Sequence, residues 1–263
     1  MKSSMIALTF SAFTVTGLAF AGGAQAQSVA ALLDGNRIAL VDIKAAKVGT
    51  PVTVAGDGKL VGIDVRPADG LLYGLFADGT VVTIDPMSGK AMKKSTLATM
   101  LPAGSMATVD FNPVADRLRV IGSDGTNLRA NVDDGKVTTD GVLNYAEGDM
   151  HKGKASKVVA GAYTNSVKGA KETALYDIDA TAGTLVKQAP PNDGVLNSVG
   201  TLGVAGDAFA FDIVTTAAGA NEGWLMAGDT LYSVDLATGK AMMVGKIAGV
   251  EGKVHDIAIL PAM

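Results

Sequence analysis

A chain of 263 residues with no cysteine has no thiol nucleophile, no thiolate zinc site and no cysteine-bound iron–sulfur cluster. Its net charge of −4, without any basic run, argues against a nucleic-acid partner, because phosphate neutralisation needs clustered Lys and Arg. Aromatics at 5% leave little for stacking platforms, and 33 glycines among β-branched residues point to many tight turns.

In chain order, Lys2, the largely apolar run Met5 to Phe20 and the Ala24-Gln25-Ala26 pattern read as a secretory signal over residues 1–26, cleaved before Gln27. The remainder, 27–263, reads as one domain, exported to the periplasm or the medium, with no membrane span after cleavage and monomeric. No helical period of useful length follows residue 27.

Three signals then recur. The first is an apolar strand holding one Asp: Val61 to Val65 around Asp64, Thr108 to Phe111 around Asp110, Ala208 to Ile213 around Asp212, and Val254 to Ile259 around Asp256. Val159 to Tyr163 is a copy without the Asp, with Tyr163 as its nearest counterpart. The steps of 44 to 53 residues suit propeller blades. The second signal is a hairpin on Asp78-Gly79 or Asp124-Gly125, a turn that needs positive φ. The third is an outer turn: Asp85 to Gly89, Asp133 to Gly135, Asp179 to Gly183 and Asp235 to Gly239. Val61 to Met92 therefore reads as one four-stranded antiparallel unit. Asn36 to Val54 carries only the outer part of such a unit, and Val254 to Leu260 only its first strand. Joined, they complete a fifth blade. The expected fold is an all-β, five-bladed β-propeller closed by terminal strands that share a blade.

Candidate site residues follow from that geometry. If the repeat is aligned in this way, Asp64, Asp110, Asp212 and Asp256 converge on one axis. Such carboxylates suit Ca²⁺, which takes oxygen ligands, or a water for hydrolysis. Alternatively each serves the scaffold by accepting backbone N–H groups or by bonding an Arg of the adjacent blade. The long loops Ser95 to Ala107, Thr138 to Lys157 and Pro190 to Asp207 sit where function usually lies, and Asn144, Asn192, Asp193 and Asn197 are their candidate binding residues. Arg66, Arg117, Arg119 and Arg129 either tie turns together or form a basic pocket. His151 and His255, the only histidines, lack zinc-site spacing. No Gly-x-Ser-x-Gly elbow, phosphate-binding loop or dinucleotide fingerprint is present.

The segments Leu60 to Pro67, Asp69 to Gly74, Asp110 to Pro113, Asp116 to Val120, Asn127 to Arg129, Ala162 to Ser166, Leu175 to Asp179, Pro190 to Asn192 and Val199 to Gly203 occur in one order. Together they resemble a bacterial family known as domain of unknown function 4394. The resemblance implies an exported, propeller-like domain and supplies no catalytic residue. The expectation is a binding scaffold of the cell envelope, taking an unknown protein or small molecule. The alternatives are a lactonase-like hydrolase with a divalent ion on the axial carboxylates, or a purely structural interaction module.

Overall fold

The computed structural model describes residues 28–206 and 208–261, so the expected leader at 1–26 lies outside the described residues. Among these residues no helix is long and apolar enough to cross a membrane.

The chain forms five separate sheets around an axis. It begins with β1 (Ser28–Leu33), β2 (Arg37–Asp42), β3 (Lys47–Val48) and β4 (Val52–Thr53). The first complete blade is β5 (Leu60–Val65), β6 (Leu72–Phe76), β7 (Thr80–Ile84) and β8 (Ala91–Thr96). The second is β9 (Ala107–Asn112), β10 (Arg117–Gly122), β11 (Asn127–Ala130) and β12 (Val137–Thr139). The third takes β13 (Asn144–Tyr145), β14 (Val158–Tyr163), β15 (Leu175–Asp179), β16 (Thr184–Gln188) and β17 (Val195–Thr201), and the fourth β18 (Ala210–Thr215), β19 (Asn221–Ala227), β20 (Thr230–Val234) and β21 (Ala241–Lys246). Last, β22 (Val254–Ile259) pairs antiparallel with β1 and completes the closing blade. The inner strands β5, β9, β14, β18 and β22 are neighbours in an unbroken ring. The five-bladed propeller expected from the repeat is the observed fold.

Two details differ from the expected pattern. The N-terminus contributes β1 as well as the outer strands, so the closing blade borrows only its innermost strand from the C-terminus. The Thr138–Lys157 and Pro190–Asp207 segments are not free loops. They contain β13 and β17, which pair parallel to each other at the outer edge of the third blade, and a short 3₁₀ turn at Pro191–Asp193.

Burial explains the closure. In β1, Val29, Ala31 and Leu33 pack toward the fourth blade, while Ala30 and Leu32 pack toward the first. Both faces of a blade are covered by its neighbours, so an uncapped fan would leave one apolar face bare at each end. Each interface between blades holds one apolar cluster, and the one between the second and third blades is the smallest.

The outer-turn glycines have a second role beyond positive φ. A Cβ on Gly89 would meet the Thr53 carbonyl oxygen at 2.1 Å, one on Gly135 the Thr96 oxygen at 2.1 Å, and one on Gly239 the Gly200 oxygen at 2.5 Å. Each turn thus presses its backbone against an outer strand of the preceding blade.

Candidate functional site

An inner strand is an edge strand, and alternate backbone N–H groups on it turn away from its own sheet. In water-poor surroundings each of those donors needs an acceptor. At one level of the ring the donors belong to Val65, Phe111, Tyr163, Ile213 and Ile259. Asp64 accepts from Val65 at 2.6 Å and from Phe111 of the next blade at 2.7 Å. Asp110 accepts from Tyr163 at 3.0 Å. Asp212 accepts from Ile213 at 2.6 Å and from Ile259 at 2.7 Å. Three carboxylates therefore serve five N–H groups with five of their six oxygens. The two blades without an Asp here, at Ala162 and Ala258, are the ones whose following neighbour bonds its own N–H.

This register corrects two assignments. The third-blade counterpart of the Asp positions is Ala162, and Tyr163 supplies the N–H. The closing-blade counterpart is Ala258, so Asp256 lies two residues nearer the start of its strand. There it accepts from Ile257 at 3.0 Å and from Ile63 of the first blade at 2.9 Å, repeating the same bond one level away. Side-chain oxygens of Asp64, Asp110 and Asp212 lie within 4.8 Å of one another; Asp256 is not in that group.

Burial disfavours charge on all four. It pushes the Asp64 carboxyl well above the usual carboxylate range, helped by nearby Asp212 and opposed by the Phe111 and Val65 N–H groups. Asp110 is pushed up the same way, with Asp64 and Asp212 adding to burial. Asp212 reaches about 6, its two N–H bonds offsetting part of the burial effect. Burial also raises Asp256, against its two N–H bonds.

One end of the axis lies three residues before the Asp64 level, where the strands begin. Val61, Ala107, Val159, Phe209 and His255 occupy equivalent places there. Three of them, Val61, Val159 and His255, are the residues at register shifts in their strands, and a bulge re-aims the side chain it carries. They line a cavity of about 180 Å³ to which all five blades contribute, with Lys59, Lys253 and Asp34 at its rim. A larger hollow of about 270 Å³, lined by Phe76 and Lys93 among others, lies on the flank of the first blade, away from the axis.

The arginines are committed to the scaffold. Arg66 is buried and reaches Asp116 through Nε at 2.8 Å and a second nitrogen at 2.6 Å, with Asp133 at 2.8 Å. These contacts tie the first blade to two turns of the second. Arg119, also buried, bonds Asn127 Oδ1 at 2.8 Å, Asp140 Oδ2 at 2.6 Å, the Tyr163 hydroxyl at 3.1 Å and Asn192 Oδ1 at 2.8 Å. Arg129 joins Asp140 from the other side at 2.6 Å. Arg117 donates to the Asp116 and Ala115 carbonyls. No basic pocket remains among them.

A polar layer thus fills the interface where the apolar cluster is smallest. Asp177 lies within it, fully buried; among the described residues neither of its carboxylate oxygens is hydrogen-bonded, and its Oδ1 lies 2.2 Å from where a Cβ on Gly161 would be. Burial pushes it up to about 8, against the pull of Arg119. Composition gave no sign of this residue. Leu175-Tyr-Asp177-Ile-Asp179 reads as an ordinary strand, and only the blade packing shows which Asp is without a donor.

The loop candidates stand apart from the axial mouth. Asn192 is held by Arg119. Asn197 Nδ2 donates to the Ala189 carbonyl at 3.1 Å and Asn144 Nδ2 to the Val142 carbonyl at 2.7 Å. Asp193 is exposed in the 3₁₀ turn. Nearby, His151 Nδ1 lies 3.0 Å from Ser198 Oγ, which donates to Asp149 at 2.9 Å. A nucleophile triad needs its carboxylate on the opposite ring nitrogen from the hydroxyl. Here Asp149 takes the hydroxyl itself and the backbone N–H groups of Ser198 and His151, so the three residues form a clasp on β17.

No curated protein is significantly similar to the chain in sequence. A solved protein of unknown function from Bacteroides thetaiotaomicron shares the fold, with a TM-score of 0.55 at 15% identity over 90% of this chain and 65% of its own. Another, from Bacteroides caccae, aligns over 89% of this chain and 99% of its own at 10% identity, with a TM-score of 0.47. The motif order, the five-bladed ring and a family match over residues 38–258 agree: the chain belongs to the family described as Domain of unknown function (DUF4394).

Proposed function

We propose that this protein is an exported binding propeller that takes a small ligand at the axial mouth and performs no chemistry on it. The observation that carries this reading is the cavity to which every blade contributes, ringed by five residues of which three, Val61, Val159 and His255, sit at strand bulges. A concave, mostly apolar hollow with a few polar groups on a rigid scaffold is the usual form of a small-molecule site. The Ser198 hydroxyl, the His151 imidazole and the Asp64, Asp110 and Asp212 carboxylates, the groups nearest to a catalytic arrangement, are engaged in structural bonds. A fragment screen read by backbone amide shifts tests it. Hits should move residues 59–61, 105–107 and 253–255, and a Val159→Trp variant that fills the mouth should lose them. Hits confined to other surfaces, or unchanged by Val159→Trp, would overturn it. Export rests on the signal-like leader, and the mature N-terminus is its test: Gln27 is expected, and retention of residues 1–26 would refute it.

A competing reading places a divalent ion on Asp64, Asp110 and Asp212, favoured by their 4.8 Å convergence. Against it, five of the six oxygens already accept N–H groups, and Ca²⁺ takes about six to eight oxygen ligands. Melting the protein in EDTA and then in Ca²⁺, Mg²⁺, Mn²⁺ or Zn²⁺ separates the two. A selective rise in midpoint that Asp64→Ala abolishes would establish the ion and open hydrolase assays.

A further inference from the structure

We infer that the axial mouth selects a small organic anion, an apolar body of a few carbons ending in a carboxylate or similar acid. This rests on reading the mouth as the binding site and adds the class of ligand.

The argument follows depth along the inner strands. Five residues before the Asp64 level stand Lys59, Ser105, Lys157 and Lys253; the fourth-blade counterpart in sequence, Asp207, lies outside the described residues. Lys59 and Lys253 border the cavity. Among the described residues neither ammonium forms an ion pair, whereas the one rim carboxylate, Asp34, is already held by the Arg37 guanidinium and the Lys253 N–H. Among the described residues, the rim therefore offers positive charge without a carboxylate partner. Two residues deeper, the wall becomes Val61, Ala107, Val159 and Phe209, with His255 the one polar member. Burial and the neighbouring Lys253 and Lys59 ammoniums, opposed by the Asp34 carboxylate, hold the imidazole below its ordinary range, so at neutral pH it adds a hydrogen-bonding group and not a charge. Deeper still lie Asp256 and then the three axial carboxylates. An acid head therefore stays at the rim while an apolar body fills the ring. From the lysine level to the Asp256 level is about 10 Å of strand, which bounds the length of that body.

Calorimetric titration of the mature chain with hexanoate, hexan-1-ol and hexylamine at low salt tests the inference. Hexanoate should bind at least about tenfold tighter than the alcohol, because a charge-assisted contact is roughly twice as strong as a neutral one. Lys59→Gln with Lys253→Gln should remove that advantage without changing the melting midpoint. Lys157→Gln, equivalent in the ring but outside the cavity, should retain it. Equal binding of acid and alcohol at the mouth would overturn the anion selection and leave the site. Tightest binding of hexylamine would overturn it in favour of the carboxylate floor. Hexanoate binding that survives Val159→Trp would instead remove the mouth itself as the site.

Discussion

Arg119 and Asn192 are 73 residues apart in sequence and 2.8 Å apart in space, and the bond between them fastens the Pro190–Asp193 turn of the third blade to the second. The same guanidinium neutralises Asp140, which is nearly as buried as Arg119 itself. Burial alone would raise the Asp140 carboxyl, but its bonds to Arg129 and Arg119 outweigh that and hold it below the usual range. Arg119→Leu should therefore cost about 3 kcal/mol or more in urea unfolding, the scale for breaking a buried pair by removing one partner. Asn192→Ala, which removes one bond at an exposed residue, should cost about 1.5 kcal/mol. Comparable losses in the two variants would show that the Asp140 charge is not what Arg119 stabilises.

Stability should fall as pH rises above the acidic range. Asp64, Asp110 and Asp256 have raised folded values, with Asp212 at about 6 and Asp177 at about 8. A carboxyl with a raised folded value keeps its proton longer in the native state than in the unfolded chain. Its contribution is complete below the unfolded value of about 4 and is lost as pH passes its folded value. Asp133, held at about 2 by Arg66 and Lys94, acts in the opposite sense, and its contribution is lost below pH 4. The melting midpoint should peak in mildly acidic buffer and decline through pH 6 and pH 8. Asp177→Asn should flatten the upper part of that decline. A midpoint that holds steady or rises toward pH 8 would contradict the buried, donor-free state of Asp177.

The repeat made the propeller readable because turn chemistry leaves a local mark: Asp-Gly hairpins and Asp-x-x-x-Gly outer turns need particular residues wherever the chain reverses. β1 carried no such mark. Ser28-Val-Ala-Ala-Leu-Leu33 is buried on both faces, so it shows an unbroken apolar run in place of alternation, soon after the apolar stretch Met5 to Phe20. The axial Asp residues were visible as a set, but their level was not. Asp256 occupies the equivalent inner strand of its own blade and misses the level of its supposed counterparts by two residues, a shift that keeps it on the same face and leaves the sequence pattern unchanged. The mouth was legible only as a place where loops gather. Its lining depends on bulges at Val61, Val159 and His255, which a strand pattern cannot show.

Asp64 tests the account of the axis. Asp64→Ala orphans the Val65 and Phe111 N–H groups and should cost about 2–6 kcal/mol, since each unsatisfied buried donor costs about 1–3. Asp64→Asn keeps one acceptor oxygen and removes the charge that faces Asp212, so its cost should be smaller and should shrink further as pH rises. Urea titrations at two pH values measure both. An Asn variant as damaging as the Ala variant at alkaline pH would mean that the carboxylates do not repel one another there.

The outer-turn glycines separate conformational strain from close approach. Gly183, Gly89, Gly135 and Gly239 all have positive φ, at 62°, 72°, 74° and 77°. Replacing any of them with Ala incurs the left-handed penalty of about 1–2 kcal/mol. At Gly183 that is the whole cost, because a Cβ there meets nothing within 4 Å. At Gly89 and Gly135 the added carbon would sit 2.1 Å from a backbone carbonyl oxygen of the preceding blade. That oxygen belongs to a sheet and cannot swing aside as a side chain would, so the two blades must separate. Alanine at Gly89 or Gly135 should therefore destabilise by at least about 2 kcal/mol more than alanine at Gly183, as overpacking against fixed backbone does. It should also loosen the neighbouring clasps, in which Ala55 N–H donates to the Gly89 carbonyl and Ala98 N–H to that of Gly135, each at 2.9 Å. Hydrogen exchange at Ala55 and Ala98 reads that loosening directly. If all three variants lose the same stability and those amides stay protected, the glycines serve the turns alone, and the blades are held together by their apolar faces.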